Sequence, residues 1–270
     1  FNRKTTDMLF RFTVPASLGY SGYYANVGDM SNYGVEFELS GDIVRTKNVT
    51  WNVSMNATHV KNKVTYLADE FKKQNIEGYN GYIDGNYFVA EDMPLYTYYI
   101  RDYAGVGENG ESLWYMDQTD KDGNVTGKTT TSDYNKATRY LQDSTMPDLY
   151  GGFSTSLSFY GVDMSIAFTY QLGGLVYDSG YANFMGSPYG SFVGSNFHKD
   201  LLNAWTPENT TSDIPRLQYG DQYTGSMSDR FLTDASYLNI QNINVGYTLP
   251  SSFTQKFGVS SLRLYLACDN

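Results

Sequence analysis

The sequence predicts an all-β chain of antiparallel, up-and-down strands. Two patterns carry that prediction: hydrophobic residues recur with a period of two, and short connections alternate with long ones. Composition agrees, with 26 Tyr and 26 Gly among 270 residues, types common in strands and turns.

The alternation runs through most of the chain. Tyr33, Val35, Phe37, Leu39, Gly41 and Ile43 interleave with Gly34, Glu36, Glu38, Ser40 and Asp42. Val49, Trp51, Val53, Met55 and Ala57 interleave with Thr50, Asn52, Ser54, Asn56 and Thr58. Val162, Met164, Ile166, Phe168, Tyr170 and Leu172 follow the same rule, as do Leu262, Leu264 and Leu266. Successive side chains of a strand point to opposite faces, so each segment has one apolar and one polar face. Roughly nine strands follow, over 7–14, 32–43, 49–61, 93–104, 111–118, 149–160, 162–173, 235–249 and 260–269. The phase slips between Ile240 and Ile243, which predicts a β-bulge near Gln241-Asn242.

These segments exceed the usual globular strand of about 5–6 residues and match the ~9–11 that a tilted strand needs to cross a bilayer. Short connections (Val44–Asn48, Gly105–Gly110, Gly161, Pro250–Ser260) take turns with long ones (Pro15–Ser31, Asn62–Asp92, Thr119–Asp148, Gly173–Asp234). Outer-membrane barrels have this layout, with short periplasmic turns and long outer loops. An antiparallel sandwich is the alternative, with its apolar face buried under a second sheet. Periodicity alone leaves both open.

Composition excludes other classes. With 19 Lys and Arg against 29 Asp and Glu, the formal net charge is −10 and no basic cluster serves nucleic acid. One Cys, Cys268, forms no intrachain disulfide, and with His59 and His198 it gives no metal cluster. Apolar runs fall short of the ~20 residues of a spanning helix. The opening Phe1-Asn2-Arg3-Lys4 holds no apolar leader, and Cys268-Asp269-Asn270 follows directly on an alternating run. Both ends read as cut, as in a piece of a longer protein.

Several stretches, taken together and in order, resemble the C-terminal part of the barrel in SusC/RagA-like TonB-dependent outer-membrane transporters. They are Phe1-Asn2-Arg3-Lys4-Thr5-Thr6-Asp7-Met8-Leu9, Asn26-Val27-Gly28-Asp29-Met30-Ser31-Asn32-Tyr33-Gly34-Val35-Glu36, and Asp148-Leu149-Tyr150-Gly151-Gly152-Phe153-Ser154 after Pro147. The most specific are Asp229-Arg230-Phe231-Leu232-Thr233-Asp234-Ala235-Ser236-Tyr237-Leu238 and Val259-Ser260-Ser261-Leu262-Arg263-Leu264-Tyr265.

The resemblance implies that residues 1–270 are a single region, an incomplete C-terminal portion of a barrel of about 22 strands. The plug, the TonB box and the remaining strands would lie outside it. It implies a bacterial outer-membrane parent that imports nutrient glycans or peptides under a SusD-like surface lipoprotein, with energy from the TonB complex through the N-terminal region. The parent would be a transporter and not an enzyme, embedded in outer-membrane lipid, with no cofactor. The alternative function is a soluble, secreted β-sandwich that binds carbohydrate.

The long loops supply candidate contacts to cargo or lid in Tyr79, Tyr82, Tyr87, Trp205, Tyr219 and Tyr223, because aromatic rings stack on sugars and anchor interfaces. The bland reading has these rings packing the loops or lining the interfacial girdle. Glu36 and Glu38 share the polar face of one strand and read as a lumenal acidic pair; no acid/base asymmetry marks them as catalytic. Asn196–Trp205 predicts a short amphipathic helix with Phe197, Leu201, Leu202 and Trp205 on one face. Asp117–Asn124 suggests a calcium loop, but Gln118 and Thr129 would stand where Asp and Glu are needed, so a turn at Asp122-Gly123 is the better reading. Cys268 reads as a small hydrophobe on the apolar parity.

Overall fold

The computed structural model describes residues 1–189, 193–221 and 223–270, with the backbone alone at 11–13. Residues 190–192 and 222, inside the predicted long connection Gly173–Asp234, lie outside the described residues.

In chain order the strands are β1 (Asn2–Thr13), β2 (Gly22–Arg45), β3 (Val49–Leu67), β4 (Gln74–Ile76), β5 (Tyr79–Asp84), β6 (Tyr87–Ala90), β7 (Thr97–Arg101), β8 (Tyr103–Val106) and β9 (Ser112–Thr119). They continue as β10 (Val125–Thr131), β11 (Arg139–Ser144), β12 (Leu149–Phe159), β13 (Val162–Leu172), β14 (Leu175–Tyr177), β15 (Leu232–Asp234), β16 (Tyr237–Thr248) and β17 (Arg263–Asp269). The fold is all-β and antiparallel, as the periodicity predicts.

The chain forms two compact units: residues 1–66, 146–174 and 235–270, and residues 67–145 and 175–234. The first is a single seven-stranded sheet in the order β1-β2-β3-β12-β13-β16-β17. Seven of the roughly nine predicted strands build it. The segments 93–104 and 111–118 do not. They break into β7, β8 and β9 of the second unit, where Tyr98, Ile100 and Trp114 are buried. Gly105–Gly110, read as a short periplasmic turn, therefore belongs to that unit too. Alternation tells that two faces differ, not what covers them.

Register turns the period of two into whole rows. Trp51, Leu157, Met164, Val245 and Leu266 are successive partners across five strands. The next row is Asn52, Ser156, Ser165, Asn244 and Ala267. Every residue of the first row is 37–81% exposed. A water-soluble sandwich would cover this face with a second sheet; here it stays open, as a lipid-facing wall requires. At β16 the register slips between Ala167 and Phe168, whose partners are Asn242 and Ile240. Gln241 is the extra residue, and the predicted bulge restores the apolar parity beyond it.

At one end of the sheet the β2–β3 and β12–β13 turns are tight, while residues 249–262 join β16 to β17 through a longer connection. Tyr160 and Gly161 both take positive φ, 47° and 89°, and join β12 to β13 as a two-residue hairpin. β2 reaches back to Gly22, so the loop expected over Pro15–Ser31 shrinks to the few residues after β1. At 24 residues β2 extends about 80 Å, well beyond a bilayer's apolar thickness of about 30 Å.

The second unit gathers the two long excursions of the chain, 67–145 and 175–234. It holds sheets of order β11-β7-β6-β5-β4, β10-β9-β8 and β14-β15. Phe88, Ala90 and Met93 form one of its cores; Ala182, Met185, Leu201 and Phe231 form another.

Candidate functional site

The polar face of the sheet is built from Ser, Thr, Asn and Gly rows stitched by side chains. Ser54 and Ser154 hydroxyls share a 2.9 Å hydrogen bond, and Asn52 Nδ2 donates to Asp42 Oδ1 at 3.1 Å. Asn62 Nδ2 donates to Asn32 Oδ1 at 2.6 Å. Glu36 and Glu38 lie between Asn32 and Asp42 on that same parity of β2, and both are exposed. Near the tight-turn end, Arg263 pairs with Asp163 through both Nη2 and Nε, the latter at 3.0 Å.

Two glycines let side chains cross strands. A Cβ at Gly246 would overlap the Arg263 guanidinium, so the ion pair runs over a residue without a side chain. A Cβ at Gly151 would meet the Tyr170 hydroxyl, which passes over it to donate to Asn56 O at 3.0 Å.

In the second unit, Tyr134 is the hub of an aromatic and cationic cluster. Its ring stacks on Tyr223 at 5.4 Å and meets Trp114 edge-on at 5.2 Å. Arg101 lies 4.0 Å above the same ring, and the Tyr134 hydroxyl donates to Met227 O at 2.7 Å. Arg230 sits over Tyr103 and Phe231 at 5.0 and 5.1 Å. Asp229 Oδ1 accepts the Tyr103 N–H at 2.6 Å. Burial raises the Asp229 carboxyl above its ordinary value. Asp102 is raised by burial first and by repulsion from Asp229 second, although Gln142 Nε2 donates to it at 2.6 Å. Burial also pushes the Tyr103 hydroxyl up to about 12. The cluster joins residues of both excursions, so it fixes the two long loops as one body.

The six loop aromatics separate by environment. Tyr223 belongs to the Tyr134 stack, and Asn135 Nδ2 donates to its hydroxyl at 2.8 Å. Trp205 packs on Gly110, where a Cβ would overlap its ring, while its N–H donates to Ile214 O at 2.8 Å. Tyr87 lies 4.9 Å from Tyr98 and 5.5 Å from Tyr96, and burial pushes its hydroxyl up to about 12. Tyr82 packs on Phe71 at 5.8 Å, and burial raises its hydroxyl well above the ordinary range. Tyr79 and Tyr219 stand exposed, Tyr219 at 76%.

The predicted helix at Asn196–Trp205 is a 3-10 turn over Lys199–Asn203. Its supposed common face divides: Leu201 is buried, while Leu202 is 89% exposed. Three residues per turn place neighbours differently from 3.6. At Asp117–Asn124 the chain makes the β9–β10 hairpin. Asp120 Oδ1 accepts the Asp122 and Asn124 N–H groups at 2.9 and 2.8 Å, and Gly123 takes φ 87°. The Asn124 side-chain amide also donates to Asp120 Oδ2 at 3.1 Å, and this bond first, with the backbone ones after it, lowers the Asp120 carboxyl. Arg101, Tyr134 and Trp114 escaped the sequence reading because nothing in their spacing brings them together. Arg230 stands inside the Asp229–Leu238 stretch, but sequence spacing alone gives it no partner.

No family model matches the sequence. The chain is 28% identical, over 99% of its length, to TonB-dependent receptor P3 of Formosa agariphila, and covers 26% of that protein. It is 23% identical to TonB-dependent receptor SusC of Bacteroides thetaiotaomicron, again over 99% of the chain and 26% of the relative. Among solved structures it matches the RagAB peptide transporter with TM-score 0.77 and 29% identity, over 100% of this chain and 29% of that one. The RagAB peptide importer in its closed-closed state matches with TM-score 0.76 and 31% identity. The chain spans about a quarter of the length of these curated relatives. From end to end the chain is thus similar, in sequence and in its antiparallel fold, to TonB-dependent receptors and to the RagAB peptide transporter.

Proposed function

We propose that these residues are wall and outer loops of a TonB-dependent transporter in a bacterial outer membrane. The parent imports nutrient glycans or peptides, capped by a SusD-like surface lipoprotein and energised by the TonB complex. The residues are a C-terminal portion of its barrel, with the plug and further strands supplied by the rest of the parent. It works by passage and binding, not by catalysis. The observation that supports this best is the exposed apolar row Trp51, Leu157, Met164, Val245 and Leu266 in a chain that aligns end to end with transporters. On this reading the Ser, Asn and Thr rows line the lumen. Glu36 and Glu38 place an acidic pair there that favours neutral or cationic cargo. The second unit is the outer-loop body. Tyr79 and Tyr219, with exposed rings, are its candidate contacts to lid or cargo. Tyr82, Tyr87, Trp205 and Tyr223 support those contacts by packing.

Affinity purification of the tagged parent from outer-membrane fractions tests the reading. A band several times the size of this chain, shifting in mobility on boiling and carrying a surface lipoprotein, is the expected result. Tyr219→Ala should lower lipoprotein recovery while the heat-modifiable band is kept. A soluble product near the size of this chain alone would reject the transporter.

A further inference from the structure

The polar face of the seven-stranded sheet carries a groove of about 560 Å³ where β12 begins and β13 ends. Asn56, Tyr150, Gly152, Thr169, Gln171 and Tyr237 line it. Tyr150, Gln171 and Tyr237 are successive cross-strand partners, so two strand spacings, about 9.6 Å, separate the tyrosine backbones. Gly152 contributes no side chain, which opens the floor. The rings are accessible, Tyr150 at 42% and Tyr237 at 50% exposure.

The polar side chains are held at one end and uncommitted at the other. Asn56 Oδ1 accepts the Gly152 N–H at 3.0 Å, which leaves its amide N–H groups. Gln171 Nε2 donates to Ala235 O at 3.3 Å, which leaves its amide oxygen. Thr169 Oγ1 accepts from Gln241 Nε2 at 3.0 Å, which leaves its hydroxyl proton. Donors and acceptors thus stand side by side between two aromatic rings. Among the described residues, no carboxylate, ammonium, guanidinium or imidazole lines the groove.

We propose that this groove is a stacking subsite for a neutral oligosaccharide. The inference rests on the transporter reading and on the polar face being the lumen. Sugar hydroxyls both donate and accept, as this lining requires, and the apolar faces of sugar rings stack on tyrosine. The two strand spacings between the tyrosine backbones suit two linked sugars rather than one. A peptide would bring charged termini or side chains to a lining with no counter-charge, and desolvating them there is unfavourable.

The test uses the full-length transporter containing this chain, purified in detergent. Linear neutral hexasaccharides of glucose, mannose and xylose are titrated calorimetrically, with tryptic casein peptides as the rival ligand. At least one hexasaccharide should bind saturably. The double variant Tyr150→Ala, Tyr237→Ala should weaken it more than tenfold, and Tyr150→Phe, Tyr237→Phe by less than threefold. Gln171→Glu, which keeps both rings and adds a charge, should weaken it at least fivefold and so covers the case in which the alanine variant fails to fold. The proposal is overturned if no hexasaccharide binds, if binding survives loss of both rings, or if casein peptides bind instead with the same dependence on the rings. A parent that sits in the outer membrane with its lipoprotein yet fails these arms loses the subsite alone. A parent outside the outer membrane loses the transporter reading as well.

Discussion

Arg263 on β17 reaches over Gly246 on β16 to pair with Asp163 on β13, so one ion pair spans three strands of the wall. The register sets this geometry: Asp163 faces Gly246, and Arg263 faces Thr248, two residues along on the same parity. Both side chains are more than a third exposed, which limits the pair to about 1 kcal/mol or less. Asp163→Ala should therefore lower the parent's heat-modification temperature only slightly. Gly246→Leu should lower it more, since its side chain displaces the guanidinium as well. Equal, negligible shifts for both would show that the crossing contributes nothing to the wall.

Tyr170 crosses Gly151 in the same manner to reach the Asn56 carbonyl. Tyr170→Phe removes a single hydrogen bond, at a cost of about 1 kcal/mol. Gly151→Leu should cost several times as much, because its Cβ would strike the Asn56 carbonyl as well as the phenol. Urea unfolding of the parent in lipid vesicles measures both. A Gly151→Leu variant as stable as Tyr170→Phe would contradict the crossing.

Asp229 carries the pH dependence of the loop body. Its folded carboxyl is raised by burial, so its contribution to stability is full below the ordinary carboxylate value and is lost as pH rises through the folded one. Asp102, raised for the same first reason, acts in the same direction. Asp229→Asn keeps an acceptor for the Tyr103 N–H but no charge. It should protect the Tyr103 amide against hydrogen exchange, relative to the native chain, at pH 7. The gain should vanish near pH 4, and a gain that grows toward acid would reverse the assignment.

Much of the wall was legible because alternate residues along its strands carry opposite chemistry, apolar on one face and polar on the other. The rows through Leu157 and Ser156 and the bulge at Gln241 follow from that alternation alone. The strands of the loop body were misplaced for the converse reason. Tyr98 and Trp114 stand in segments rich in apolar and aromatic residues like those of the wall, yet they are buried within the second unit. The Tyr134 cluster was invisible because Arg101, Trp114 and Tyr223 come from three separate stretches of the chain and meet Tyr134 only through tertiary packing. Tertiary packing also overrode the helical spacing of Leu201, Leu202 and Trp205.

Spin labels placed singly from Phe153 to Phe159 on β12, in a Cys268→Ser parent reconstituted in bilayers, distinguish lipid from water residue by residue. Labels at 153, 155, 157 and 159 should be relaxed by oxygen, and those at 154, 156 and 158 by a water-soluble nickel chelate, in strict alternation. Relaxation by the chelate at every position, or loss of both signals at Phe153 and Leu157 as in a dry core, would contradict a membrane wall.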